Sequence, residues 1–147
     1  AGTQKYCLVD ASNATAPSVN VLPGIMIGTT DGFVSSASNY QKVYLTGINA
    51  SNSKPSIFVF DGLSFDESIE MPVARPVGLT ISNGTLWLIG ESGTLYVIDT
   101  YMKQVSIYEV IPGFLPRDKG DKLEIIDDKL VFIRGDSTSE YWILEVQ

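Results

Sequence analysis

One order of features repeats along this chain and limits what it can become. In "MPVARPVGLTISNGTLWLIGESGTLYVIDT", residues 71–100, a Met-Pro leads into an apolar run that ends in Asn-Gly. An apolar run ending in Gly follows, and then one ending in Asp. The glycine recurs in "VYLTG", "LWLIG" and "VFIRG" at Gly47, Gly90 and Gly135, separations of 43 and 45 residues. The aspartate recurs as Asp10 in "YCLVD", Asp61 in "IFVFD" and Asp99 in "LYVID", and a proline follows in each unit at Pro23, Pro72 and Pro112. The unit is about 45 residues long and holds four strands.

The runs between these markers, such as "KVYLTG", "SIFVFDG", "TLYVIDT" and "YWILEV", are short and rich in Val, Ile, Tyr and Phe. Clusters of Gly, Asn, Asp, Ser and Pro bound them, which predicts strands. No window sustains a 3.6-residue apolar period, so the chain is predicted to be all-β. Four antiparallel strands per 40–50 residues is the size of one β-propeller blade. A lone four-stranded meander cannot cover both of its faces, whereas blades stacked side by side cover one another. Asn83-Gly84 predicts a two-residue type I′ hairpin, Asp127-Asp128 takes the matching place one unit later, and Glu91-Ser92-Gly93 joins the next pair of strands.

With strands lettered a to d from inner to outer, the chain is read as a single all-β domain over 1–147. Residues 1–24 form a partial blade of strands c and d, 25–72 and 73–112 are blades, and 113–147 is a partial blade of a, b and c. Thirteen strands make about three blades, fewer than the four to eight of closed propellers. Three resolutions are open. A second copy pairs with this one as a homodimer, a companion chain or missing stretch completes the propeller, or the fold is a small sandwich or barrel. The opening "AGTQKY" without a starting Met predicts a chain that is processed, tagged or cut from something longer.

"MPVARPVGLTISNGTLWLIG…LYVID" resembles a Kelch repeat: a Met-Pro with a following Arg, a strand, a turn, an aromatic-containing strand ending in Gly, and an apolar-aromatic strand ending in Asp. The resemblance spans about three units. It departs from the family where a Gly-Gly pair is expected, since Gly47, Gly90 and Gly135 precede Ile48, Glu91 and Asp136, and the tryptophan expected before the next Met-Pro is missing. The resemblance implies a non-catalytic binding or interaction module. It also implies that the loops entering strand a and joining b to c face the partner. On that basis Asn49, Asn52, Arg75, Glu91, Ser92, Arg134 and Asp136 are the candidate partner-facing rim, for a protein or glycan partner.

The absence of histidine excludes Ser-His-Asp and Cys-His catalysis and most catalytic zinc sites. Cys7 is the only cysteine, so no intrachain disulfide forms, and its apolar run predicts a small core residue. The net charge of −7 argues against nucleic acid and anionic membranes, and no apolar run is long enough to span a bilayer. Neither a cofactor nor a metal is expected: the carboxylates in "RDKGDKLEIIDDK" lack a calcium-loop spacing. Asp66, Glu67 and Glu70 are the candidates for an acid/base pair, but they fall on a c–d hairpin at the outer rim. "RGD" at Arg134-Gly135-Asp136 is an integrin-type tripeptide whose glycine the repeat already explains. Sequons at Asn13, Asn49 and Asn83 fall in predicted turns and point to a glycosylated, secreted or surface protein, with a cytoplasmic one as the alternative. Trp87, Trp142, Tyr44, Phe58, Tyr96 and Tyr141 are expected to fill the space between blades. Two other readings are carried. One is a glycan-processing or oxidase-type enzyme on a propeller; the other is a structural subunit of a surface or virion assembly.

Overall fold

A computed structural model describes residues 7–10, 15, 18–21, 27–28, 35–49, 51–65, 67–73, 75–111, 113, 121–134 and 141–144. All fourteen described elements are β-strands: β1 Cys7–Asp10, β2 Ser18–Val21, β3 Ile27–Gly28, β4 Ser36–Ser38, β5 Val43–Asn49, β6 Lys54–Phe60, β7 Glu67–Glu70, β8 Pro76–Ser82, β9 Thr85–Gly90, β10 Thr94–Asp99, β11 Gln104–Val110, β12 Lys122–Ile126, β13 Lys129–Ile133 and β14 Tyr141–Leu144. They form antiparallel sheets of propeller-blade type. β8–β11 is a complete four-stranded meander, β5–β7 is a meander whose inner side pairs with β3 and β4, β12–β14 is a three-stranded sheet, and β1–β2 is a two-stranded one. The count exceeds the expected thirteen because the inner strand of the first full blade is in two pieces. β3 pairs with the end of β5 at Asn49 and Ile48, and β4 pairs with its start at Leu45, Tyr44 and Val43.

The turns follow the chemistry of their residues. Asn83 (φ 48°) with Gly84 (φ 79°), and Asp127 (φ 49°) with Asp128 (φ 60°), are left-handed at both central positions, the type I′ geometry that matches strand twist. At Asp61 and Asp99 the repeated aspartate is a turn device. The Oδ1 of Asp61 accepts from the N–H of Leu63 (2.8 Å) and of Ser64 (2.9 Å). That of Asp99 accepts from the N–H of Tyr101 and of Met102, both at 2.8 Å. Each carboxylate satisfies two turn amides that the strand ladder leaves over.

For Asp61, the N–H groups of Ser64 and Leu63 hold the carboxyl below the ordinary carboxylate range. A depressed folded-state pKa stabilises the fold above the unfolded-state value, and this is lost as pH falls through the folded value. Asp61→Ala is therefore expected to lower the melting temperature at neutral pH. It is also expected to reduce the further loss of wild-type stability below about pH 4. Thermal melts of both proteins from pH 7 to pH 2 check this; parallel acid limbs would contradict it.

The sheets pack face to face. β9 is covered on both sides: Leu86 and Leu88 enter one cluster with Tyr44, Ile57, Val59, Ile69, Leu79 and Ile98. Ile89 enters another with Val77, Leu95, Leu123, Leu130 and Phe132, and the partly buried Trp87 packs against it. The first cluster joins β5–β7 to β8–β11, and the second joins β8–β11 to β12–β14. A bulge between Pro76 and Gly78 lets Val77 and Leu79, two residues apart, serve opposite clusters. A second irregularity opposite Leu95 and Tyr96 leaves Tyr108 out of the ladder, and its ring meets Trp87 edge-on at 5.2 Å. The inner strands β4 and β12 both lie beside β8.

Tyr44, Phe58 and Tyr96 are buried, as their place in the repeat predicts. Tyr141 is not: it is 66% exposed, because it lies on the face of β12–β14 turned away from the neighbouring sheet.

Candidate functional site

The rim expected to face a partner lies at the end of the sheets where β5 turns into β6, β9 turns into β10, and the chain enters β8. Two of its residues are brought together. The Glu91 N–H donates to the Arg75 carbonyl at 3.2 Å, and the Arg75 guanidinium lies 3.6 Å from the Glu91 carboxylate, both side chains about half exposed. Exposed pairs of this kind contribute at most about 1 kcal/mol, so this one displays charge more than it holds the fold. Beside Glu91, the Ser92 and Thr94 hydroxyls lie 3.0 Å apart.

On the β5–β6 turn, Asn49 and Asn52 shape the backbone. The Asn49 Oδ1 accepts from the Ser51 hydroxyl (2.6 Å) and N–H (3.0 Å), and that of Asn52 accepts from the Lys54 N–H (3.0 Å). Arg134 departs from the expected placement. It follows β13 with only 6% of its surface exposed, so the first residue of the RGD tripeptide is held in the interior and not on a presented loop. Gly135 and Asp136 lie outside the described residues, as does Asn13. Asn83 is exposed on its hairpin tip.

The acidic residues proposed for acid/base work are engaged with lysines. The Glu70 carboxylate lies 2.9 Å from the Lys54 ammonium, and that of Glu67 lies 3.8 Å from Lys42 and 4.0 Å from Lys103. Both belong to β7, an outer strand; Asp66 is outside the described residues. Of the carboxylates in "RDKGDKLEIIDDK", Asp121 is buried, Asp127 and Asp128 form the hairpin, and Asp118 lies outside the described residues. No group of three or more metal-ligating side chains occurs among the described residues.

Two features escaped the sequence reading. The first is a cleft of about 420 Å³ where β4, β8 and β12 converge, lined by the polar Ser36, Ser38, Thr80 and Glu124 with Ile81 and Ile125. It can offer hydroxyls and one carboxylate to a small polar ligand. Its residues come from three repeats, so no local motif marks it. The second is a set of apolar side chains at the end opposite the rim: Tyr40, Leu63, Tyr101 and Met102 are exposed on turn tips. A signal for these was present, because each follows an Asn or Asp that caps its turn: "NYQK", "DGLS" and "DTYMK".

No family model and no curated protein matches the chain. Among solved structures, apo AztD from Citrobacter koseri is similar at 16% identity and a TM-score of 0.41, over 80% of this chain and 46% of that one. The chain thus spans somewhat less than half of the length of that protein.

Proposed function

We propose that the chain is a non-catalytic binding module of the Kelch-like propeller type, which takes a protein or glycan partner at the loops on one end of its sheets. The observation that carries this reading is the Arg75–Glu91 arrangement: two separate loops meet there and present opposite charges to solvent. Rigid sheets with exposed, charged loops are the common setting for recognition. We place the module outside the cell or on a surface, with Asn13, Asn49 and Asn83 as glycan acceptors.

The test is a binding screen against defined oligosaccharides and a protein panel, repeated with the charge-exchanged variant Arg75→Glu/Glu91→Arg. A ligand of the rim should lose at least tenfold in affinity while the melting temperature stays within a few degrees. A ligand whose affinity is unchanged by the exchange would overturn the placement of the site. Expression through a eukaryotic secretory pathway, with mass measured before and after enzymatic deglycosylation, tests the acceptors.

A further inference from the structure

Between the β8–β9 and β12–β13 hairpins lies a second cleft, of about 300 Å³. One wall is a single face of the β8–β9 hairpin. Ser82 opposes Thr85 and Thr80 opposes Trp87 across the ladder, so Ser82, Thr85 and Trp87 share that face. The facing wall is the cross-strand pair Ile125 and Leu130, and Asp128 joins it from the turn between their strands. Asn83, from the other hairpin turn, also lines the cleft. Each of these residues belongs to one of two hairpins, 76–90 and 122–133, that are described throughout. The aromatic wall is held in place. Trp87 packs against the cluster of Ile89, Leu123 and Phe132, and Tyr108 meets it edge-on at 5.2 Å. The turn that carries Asn83 is held too, since the Gly84 carbonyl accepts from the Thr100 hydroxyl at 2.6 Å.

An indole beside hydroxyls, an amide and one carboxylate suits a neutral sugar ring. The C–H groups on one face of a pyranose pack on the electron-rich face of the indole, and its polar substituents find partners around the edge. The one charge among the lining residues is that of Asp128, which disfavours an anion. The volume is at the lower end for small-molecule clefts, so it suits one ring better than an extended chain. The sequence supplies a source for that ring. Asn83-Gly84-Thr85 is a sequon, Asn83 is exposed, and both Asn83 and Thr85 line the cleft. We propose that the first sugar of a glycan on Asn83 folds back into this cleft and stacks on Trp87. The inference rests on the reading of Asn83 as a glycan acceptor and adds what the attached sugar does. Because the two walls belong to different sheets, a sugar seated there touches both β8–β11 and β12–β14 and holds them together.

The test compares one polypeptide made in two hosts, carrying Asn13→Gln and Asn49→Gln so that Asn83 is its single acceptor. A bacterial cytoplasm adds no N-glycan; a eukaryotic secretory host does, and the glycan is then trimmed to one N-acetylglucosamine. Mass spectrometry of the 83-containing peptide reads occupancy. The single sugar is expected to raise the melting temperature by about 2–5 °C, and Trp87→Leu should remove at least half of that gain. Nuclear Overhauser contacts between the sugar ring protons and the indole, measured with Trp87 in place, should accompany the gain and do not depend on the variant folding. An unoccupied Asn83 would overturn the acceptor reading and this inference with it. An occupied Asn83 whose sugar makes no contact with the indole, or whose gain is absent or undiminished by leucine, would overturn this inference alone.

Discussion

Replacing Phe132 with alanine is expected to destabilise the fold by about 3–5 kcal/mol, the range for emptying a fully buried phenylalanine site. Phe132 lies in the middle of β13 with none of its surface exposed. Its cluster contains Leu123 and Leu130 from its own sheet and Val77, Ile89 and Leu95 from the sheet β8–β11. The substitution therefore does more than open a cavity inside one sheet. It weakens the layer that attaches β12–β14 to its neighbour, and close-packed side chains relax only partly into the space left. Urea unfolding followed by tryptophan fluorescence measures the loss, since Trp87 packs against this cluster. A lower midpoint with an unchanged slope means that the sheets still unfold together. A separate early transition means that β12–β14 detaches first. A loss below about 1 kcal/mol would show that the cluster does not attach the third sheet.

The contrast between Phe132 and Arg134, two residues apart, shows how much of this structure is legible in the chain. What depends on a residue and its immediate neighbours can be read directly. The Asn83-Gly84 hairpin is a local matter of left-handed backbone. The repeated aspartate caps amides two and three residues on, so Asp61 and Asp99 do the same thing wherever their sheets lie. The unbroken apolar run Leu86–Ile89 in "TLWLIG" is the pattern of a strand covered on both faces, and β9 is one. What depends on a neighbouring sheet is harder to read. Tyr141 is an aromatic in the third strand of its sheet, as Tyr96 is, yet Tyr96 pairs with the buried Leu88 on a covered face, whereas Tyr141 pairs with the exposed Ile133 on the uncovered one. Arg134 lies in a tripeptide associated with exposed loops, and its surroundings bury it. The break between β3 and β4 has no counterpart in β8, which runs unbroken over Pro76–Ser82, so the repeat alone did not foretell it. The candidate site divides along the same line. Arg75 and Glu91 were both legible as loop residues from the repeat, but their meeting, and the cleft among β4, β8 and β12, arise only when different repeats come together.

Gly78→Ala is the second large effect, and its cause lies between sheets. Gly78 is in the inner strand β8, just past the bulge at Pro76. Its backbone is not left-handed, so conformational freedom is not why glycine stands there. A methyl group at this position would sit 2.7 Å from the Leu123 Cβ, 2.8 Å from the Leu123 backbone nitrogen and 3.2 Å from the Ile89 Cγ2. Two of these three obstructions are main chain or the first side-chain carbon, which no rotamer change can move. Relief requires β12 to retreat from β8, at a cost of about 1–3 kcal/mol. Gly84→Ala provides a control of the opposite kind: its φ of +79° makes any side chain strained, but the nearest atom is the Thr100 Oγ1 at 4.0 Å, so β12 should stay where it is. The two variants are separable by hydrogen exchange. Gly78→Ala should speed exchange along β8 and β12 together, whereas Gly84→Ala should confine the change to the β8–β9 hairpin. Thr80 and Glu124, next along the same two strands, line the central cleft. The close approach that glycine permits at Gly78 thus also sets how far apart the polar walls of that cleft stand. An alanine that left β12 exchange unchanged would show that the inner strands are not held together at this point.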